Sequence, residues 1–399
     1  MVNFTCYNPV KVVFGAGESA RTGKIVKNLG KTCLVVCYEQ HDFLDSLLNS
    51  ICSSLEREGI RVLTHYTVTA NPLLSPIHAG IEICRAEKVD FVVGVGGGSV
   101  MDSAKTIAVG ACYEGDVWDM FMSRHDSSVR IVTPKAALPA VMIPTLPATS
   151  SEMNNIAVVT NDKTTEKSYL QSDLIYSRIS IMDPKITCSL PAYQTACGAV
   201  DAISHIMEAY FNCAPDTPLQ DRLQEADVAT IMDLSKKVLA DPKNVALRSS
   251  IMWASTLAWN GWLQCGIAPG SPMHQIGHVL SARFGVTHGA TLGIIMPAFF
   301  RYVAPQRADR FVRLGEKMLG LDLSNMTELE GAYRAIDAFE EYIASVGVQT
   351  KLSQVNIPES AFEDIANDVV RISCDANGNL PSNPPVGKEG ILAVLKLAL

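Results

Sequence analysis

Through residues 1–188 short apolar runs alternate with amphipathic stretches, and that alternation leaves few architectures open. Cys33 to Cys37, Arg61 to Tyr66, Phe91 to Val95, Ala140 to Pro144, Ile156 to Thr160 and Ile179 to Met182 have the length and side-chain character of strands. Between the first three lie His41 to Glu58 and Ser75 to Lys88, whose apolar residues recur at helical spacing. Strand, helix, strand repetition predicts a parallel sheet with helices on both faces. From about Cys188 the texture changes. Long helical patterns follow through Ala192 to Phe211, Pro218 to Ala240, Ala246 to Gln264 and Met273 to Phe284. The expected organisation is an α/β N-terminal domain over residues 1–188, with a parallel Rossmann-like sheet, and an all-α C-terminal domain over residues 189–399.

The strand Phe91 to Val95 runs straight into Gly94-Val95-Gly96-Gly97-Gly98-Ser99, and a helix is predicted from about Val100 with Asp102 and Lys105 in its first turns. Residues without side chains let backbone N–H groups approach a diphosphate, and the helix N-terminus adds partial positive charge. The pattern is neither GxGxxG nor a Walker A loop, and a tight strand-to-helix turn alone would also explain it. Its place after a buried strand favours a ligand. A second candidate is Pro144 to Glu152, whose threonines and serines end another strand and can donate to ribose, phosphate or carboxamide oxygens. An N-cap at Ser151 is the plainer account.

Asp201 and His205 stand four apart in a helical pattern, His274 and His278 repeat the spacing, and His288 follows in a Gly-containing turn. Four of the chain's eight histidines fall in this stretch. One alone would be read as a core or surface residue, but paired i, i+4 spacing points to a shared ligand. A carboxylate with imidazoles suits Fe²⁺, Zn²⁺, Mn²⁺, Co²⁺ or Ni²⁺, and thiolates are not needed. Such an ion acts as a Lewis acid on a carbonyl or alcohol oxygen, the chemistry a nicotinamide partner requires.

Composition narrows the partners. Hydrophobic residues make up 48% of 399 residues and charged ones 19%, with a net charge of -8 and no basic cluster, which argues against nucleic acid. No run of ~18 uninterrupted apolar residues predicts a membrane span, and Met1 to Lys11 lacks the apolar core of a secretion signal. A soluble, cytoplasmic protein is expected. The eleven cysteines, many inside apolar runs, read as reduced core residues.

With these features in hand the chain resembles the iron-containing (group III) alcohol dehydrogenase family, in the branch of NADH- or NADPH-dependent butanol dehydrogenases and broad aldehyde reductases. The likeness is carried by Phe14-Gly15-Ala16-Gly17, by Asn71-Pro72, by Gly96 to Asp102 and by Thr145 to Asn154. Gly198 to His205, His274 to His278 and His288-Gly289 continue it. The resemblance implies a dehydroquinate synthase-like fold and a homodimer. It also implies that Asp201, His205, His274 and His288 bind a divalent metal, Fe²⁺ ahead of Zn²⁺. His278 would sit beside the nicotinamide and relay a proton, with Asp102 and Lys167 as further catalytic groups. Gly97, Gly98 and Ser99 would hold the pyrophosphate, Asp102 the carboxamide end, Gly96, Asn71, Thr145, Leu146 and Thr149 further cofactor atoms, and Lys167 the nicotinamide ribose region. Where NADPH-using members tend to carry glycine and serine, this chain has Glu39, a carboxylate that can accept from a ribose 2′-OH and repels a 2′-phosphate. NAD(H) is therefore expected over NADP(H).

The expected reaction is hydride transfer between this cofactor and a small alcohol or aldehyde, butanol-like. Two readings on the same fold compete, a dehydroquinate synthase-like lyase and a glycerol or polyol dehydrogenase. The lyase would need lysines and arginines to clamp a phosphorylated, carboxylated substrate, whereas this stretch offers Trp253, Trp259, Trp262 and Leu263. A non-catalytic scaffold would be favoured by a lost ligand, and none is lost.

Overall fold

Val, Ile and Leu crowd the strand segments because branched side chains pack well on a pleated surface buried on both faces. The computed structural model describes residues 1–122, 131–212, 216–268 and 270–399, which fall into two units. One comprises Tyr7–Ser189 with Lys243–Met252, the other Met1–Cys6, Leu190–Pro242 and Trp253–Leu399.

In the first unit the chain runs β1 (Lys11–Phe14), α1 (Thr22–Val26), β2 (Thr32–Tyr38), α2 (Asp45–Arg57), β3 (Arg61–Val68), α3 (Leu74–Ala86), β4 (Phe91–Gly96) and α4 (Gly98–Gly110). It continues through β5 (Ala140–Pro144), β6 (Ile156–Asn161), β7 (Glu166–Gln171) and β8 (Ile179–Met182). Six strands form one parallel sheet in the order β1-β8-β5-β4-β2-β3. Leu34, Val36, Val92 and Met142 turn to one face and meet Ile77 and Ile81 of α3 and Met101 and Ala104 of α4. Their neighbours Val35, Cys37, Val93 and Val141 turn to the other, against Leu48, Ile51 and Leu55 of α2. Each such side chain taken from water contributes about 1.5–3 kcal/mol.

Two strands depart from the pattern expected of the sequence. Ile156 to Thr160 does not join the parallel sheet; β6 pairs antiparallel with β7 across the turn Asp162 to Thr165. A parallel return needs a crossover of a dozen residues or more, and this connection is far too short for one. β1 escapes the periodicity because it is a brief, largely exposed edge strand beside β8.

The topology itself marks a binding crevice. β2 leads through α2 to β3 on one side, whereas its neighbour β4 leads through α4 to β5 on the other. Ligands of such sheets lie outside the carboxyl ends of the strands where the winding direction reverses. Here those ends are Tyr38 and the glycine turn at Gly96.

The remaining chain is helical: α5 (Ala192–Asn212), α6 (Pro218–Ala240), α7 (Val245–Leu257), α8 (Pro272–Phe284), α9 (His288–Arg313), α10 (Glu328–Ser345), α11 (Phe362–Ser373) and α12 (Lys388–Leu397). A short antiparallel pair, β9 (Asn379–Leu380) with β10 (Val386–Gly387), precedes the last helix. The helix expected over Ala246 to Gln264 stops at Leu257, ahead of Gly261, whose φ of +95° no helix accommodates. From Thr195 to Asn212 α5 is buried on every side, so it is the core helix about which its unit packs.

Candidate functional site

The glycine turn is built for close approach. At Gly98 a Cβ would fall 2.6 Å from Thr149 Cγ2, and at Gly97 it would fall 2.8 Å from the Tyr38 hydroxyl. The Gly97 amide donates to that hydroxyl (2.9 Å), which bridges the ends of β2 and β4. The Thr145 amide donates to Gly96 O (3.0 Å), Leu146 packs beside Gly97, and the Ser99 hydroxyl donates to Ala70 O (2.6 Å). Lys167 Nζ on β7 donates to Asn71 Oδ1 (3.2 Å). Gly96 to Ser99, Asn71, Thr145, Leu146, Thr149 and Lys167 therefore gather at one edge of the sheet unit. Glu39 directly follows Tyr38 and is exposed.

Two charged residues of α4 lie deeper. Asp102 accepts from the Ser151 hydroxyl (2.6 Å) through Oδ1 and from the Val158 amide (3.0 Å) through Oδ2. Burial pushes its carboxyl up, opposed by Lys105 and these two donors. Lys105 has no exposed surface and donates to Asn154 O (2.9 Å), Asn154 Oδ1 (3.0 Å) and Ile156 O (2.9 Å). Burial brings its ammonium down to about 8 despite Asp102 and Glu152 nearby. Both residues first hold the 149–158 segment against α4.

In the helical unit α5 places Asp201, His205 and Glu208 on one face at i, i+4 and i+7. His274 lies in the first turn of α8, and His288 opens α9. Asp201 Oδ1 stands 3.8 Å from His205 Nδ1, 3.7 Å from His274 Nε2 and 3.6 Å from His288 Nε2. Gly289 permits this, since a Cβ there would lie 2.2 Å from Cys197 O on α5. His278 is one turn beyond His274, its ring stacked on His288 with centroids 5.2 Å apart. Of the aromatic residues expected here, Trp259 stands 5.4 Å from the His205 ring. Leu263 is buried, and Trp253 and Trp262 are partly exposed.

The donor set fits a divalent cation. Asp201, His205 and His274 each offer one ligand atom, all within 4.8 Å of one another. Asp201 Oδ1, His205 Nδ1 and His274 Nε2 are buried without a hydrogen bond among the described residues, and buried polar atoms of this kind are normally satisfied. Ligand bonds of ~2.0–2.2 Å at a tetrahedral angle put donor atoms roughly 3.4 Å apart, slightly closer than the 3.6–3.8 Å seen here. Electrostatics agree. Burial alone would raise Asp201, but the imidazoles of His205, His288 and His274 hold it well below the usual carboxylate range. Burial brings His205 down to about 4, which keeps its ring neutral and able to coordinate. Burial pulls His274 down, but the facing carboxylates of Asp201, at 3.7 Å, and Glu208, at 2.9 Å, outweigh it and push the ring up to about 9.

Two participants were not singled out from the sequence. Glu208 Oε1 accepts from both the amide and Nδ1 of His274, each at 2.9 Å. Its i+3 offset from His205 was the available signal. Tyr38 reaches Gly97 only because β2 and β4 are neighbours, which no local spacing reveals.

The chain matches the model of the family described as iron-containing alcohol dehydrogenase over residues 9–184 and that of the Fe-containing alcohol dehydrogenase family, C-terminal, over residues 195–399. It is 36% identical to the probable NADH-dependent butanol dehydrogenase 2 of Bacillus subtilis (strain 168), over 100% of both chains. It is 29% identical to an NADPH-dependent aldehyde reductase of Escherichia coli (strain K12), over 91% of each. Among solved structures it is similar to the NADH-dependent butanol dehydrogenase A of Thermotoga maritima, with a TM-score of 0.92, 35% identity and coverage of 100% of this chain and 99% of that one.

Proposed function

Because the chain belongs to the iron-containing alcohol dehydrogenase family, we propose that it is a metal-dependent, NAD(P)H-linked alcohol dehydrogenase and aldehyde reductase acting on a small, butanol-like alcohol or aldehyde. The observation that carries this reading is the convergence of four side chains from three helices, with Asp201 Oδ1 within 3.8 Å of a nitrogen of each histidine.

Asp201, His205, His274 and His288 hold the ion, Fe²⁺ ahead of Zn²⁺. When bound, a divalent ion supplies Lewis acidity to a carbonyl or alcohol oxygen. A nicotinamide supplies or takes up the hydride. The protein's own groups do the rest. Burial favours the neutral form of His205, which leaves its lone pair free to coordinate. His278 holds and passes on the proton that the alcohol oxygen gains or loses, a role supported by its ring contact with His288. Trp259 lends the His205 side of the cluster an apolar wall suited to an uncharged substrate. Gly96, Gly97, Gly98 and Ser99 receive the pyrophosphate, and Asn71, Thr145, Leu146, Thr149 and Lys167 further cofactor atoms. Asp102 acts from behind by fixing Ser151 and Val158.

Glu39 supports NAD(H) over NADP(H), since its exposed carboxylate repels a 2′-phosphate. Residues 1–188 are proposed as the dinucleotide-binding domain and 189–399 as the metal-binding domain. No helix among the described residues is long and apolar enough to cross a membrane; a cytoplasmic homodimer is proposed.

The test combines protein purified anaerobically with Fe²⁺ or Zn²⁺, NADH or NADPH and a series of short aldehydes, while absorbance of the reduced cofactor is followed. Butanal is expected to turn over with NADH. Absence of turnover with every short aldehyde and either cofactor overturns the reading.

A further inference from the structure

Glu208 is a carboxylate with no exposed surface inside the most buried helix of its unit, and it touches no candidate substrate or ion. Such a group is tolerated when it is hydrogen-bonded, and here both donors to Oε1 belong to His274, while Oε2 is buried without a hydrogen-bond partner among the described residues. Oε1 accepts from the backbone amide of His274 (2.9 Å) and from its Nδ1 (2.9 Å). A carboxylate only accepts, so Nδ1 carries the proton, and in the neutral ring the lone pair is then on Nε2. Nε2 is the nitrogen that faces Asp201 Oδ1 at 3.7 Å.

We infer that Glu208 is the positioning residue that fixes the tautomer and orientation of His274 and thereby sets how tightly the centre holds its ion. The inference rests on the metal reading above and deepens it. Histidines that coordinate metals commonly donate their other ring N–H to a carboxylate, which locks the ring and raises its basicity. The geometry adds something particular to this chain. α5 supplies Asp201 and His205 directly, and one turn past His205 it also orients a third ligand borne by α8. One helix therefore governs three of the four donors. Because Glu208 also accepts the amide of His274, in the first turn of α8, it fastens the start of that helix as a cap. A purely structural role would end there.

The experiment separates the two roles. Wild type, Glu208→Gln and Glu208→Ala are prepared metal-free, checked for folding by circular dichroism and melting, and titrated with Zn²⁺ against a chelator of known affinity. Glu208→Ala is expected to bind Zn²⁺ more weakly by about 10- to 100-fold, and Glu208→Gln, which keeps an acceptor oxygen but not the charge, by about 10-fold. With saturating Co²⁺ the ligand-field absorption of both variants is expected to shift, a change that altered stability alone does not produce. A folded variant of either kind with wild-type affinity and an unshifted Co²⁺ spectrum overturns the positioning role. If Glu208→Ala fails to fold, Glu208→Gln decides the matter by the same criteria. Failure of the wild type itself to bind any divalent ion overturns the metal centre and this inference with it.

Discussion

The candidate sites of the two units would offer a ligand opposite kinds of atom. In the sheet unit the turn at Gly96 to Ser99 allows close approach to backbone, and groups in and around it are already engaged: the Gly97 amide with Tyr38, the Ser99 side chain with Ala70 O, and the Lys167 side chain with Asn71. In the helical unit Asp201, His205 and His274 present side-chain atoms that are buried and lack hydrogen-bond partners among the described residues. A backbone cradle tolerates exchange of one acceptor for another, so it suits a cofactor that comes and goes. Buried oxygen and nitrogen atoms that face one another without a hydrogen bond are satisfied by a cation between them, so they suit a resident ion. The contrast teaches that a resident ion is best sought among unsatisfied buried side chains, and an exchanging cofactor at a turn whose surroundings are already engaged.

The sharpest attempt to break that contrast is His205→Ala. Loss of a ligand should weaken metal binding beyond the ~10–100-fold typical of a supporting residue and abolish activity, while NADH binding, read by fluorescence, is unchanged. Loss of NADH affinity in the same variant would show that the two functions are not separable. The reciprocal lesion is Gly98→Ala. Its Cβ meets Thr149 at 2.6 Å, an overpacking expected to weaken NADH by roughly 5- to 150-fold, from ~1–3 kcal/mol. Metal content by elemental analysis should not move. A smaller effect is expected at the rim. Glu39→Ser should raise the ratio of NADPH to NADH kcat/KM by about tenfold, corresponding to ~1.4 kcal/mol of removed repulsion.

The smallest expected effect concerns a half-buried acid of the helical unit outside the cluster. Asp227 Oδ2 has no hydrogen-bond partner among the described residues, and burial pushes its carboxyl from 3.8 up to about 7. Its raised value means that the folded state favours the protonated form. Folding stability therefore falls as pH rises from the unfolded value through about 7, and the loss is absent below both. Asp227→Asn should melt with the wild type near pH 4 and a few degrees above it at pH 8. Equal melting at both pH values would show that this acid is not disfavoured as described.

Much of the fold was legible because its determinants are local. Apolar runs gave the strands from Cys33 to Cys37 and from Ala140 to Pro144, and β2 and β5 match them within a residue at each end. β7 was not legible, since Glu166, Ser168 and Leu170 form its buried side and two of these three are polar. At the candidate site, i, i+4 spacing brought Asp201 with His205 and His274 with His278. That α5 meets α8 and α9 at one point depends on Gly289 fitting against Cys197, a contact between distant parts of the chain. Glu208 looked like an ordinary acid because nothing in the sequence near it names its partner 66 residues away.

One turn-by-turn arrangement on α4 has a mechanical consequence. Ser99, Asp102 and Lys105, three residues apart, grip two pieces of chain: Ser99 holds Ala70, while Asp102 and Lys105 both hold the Ser151 to Val158 stretch. Opening either piece to solvent drags on the same helix. Amide hydrogens of α4 and of the segment from Ser151 to Val158 should therefore exchange with deuterium as a single cooperative group, with one common opening free energy.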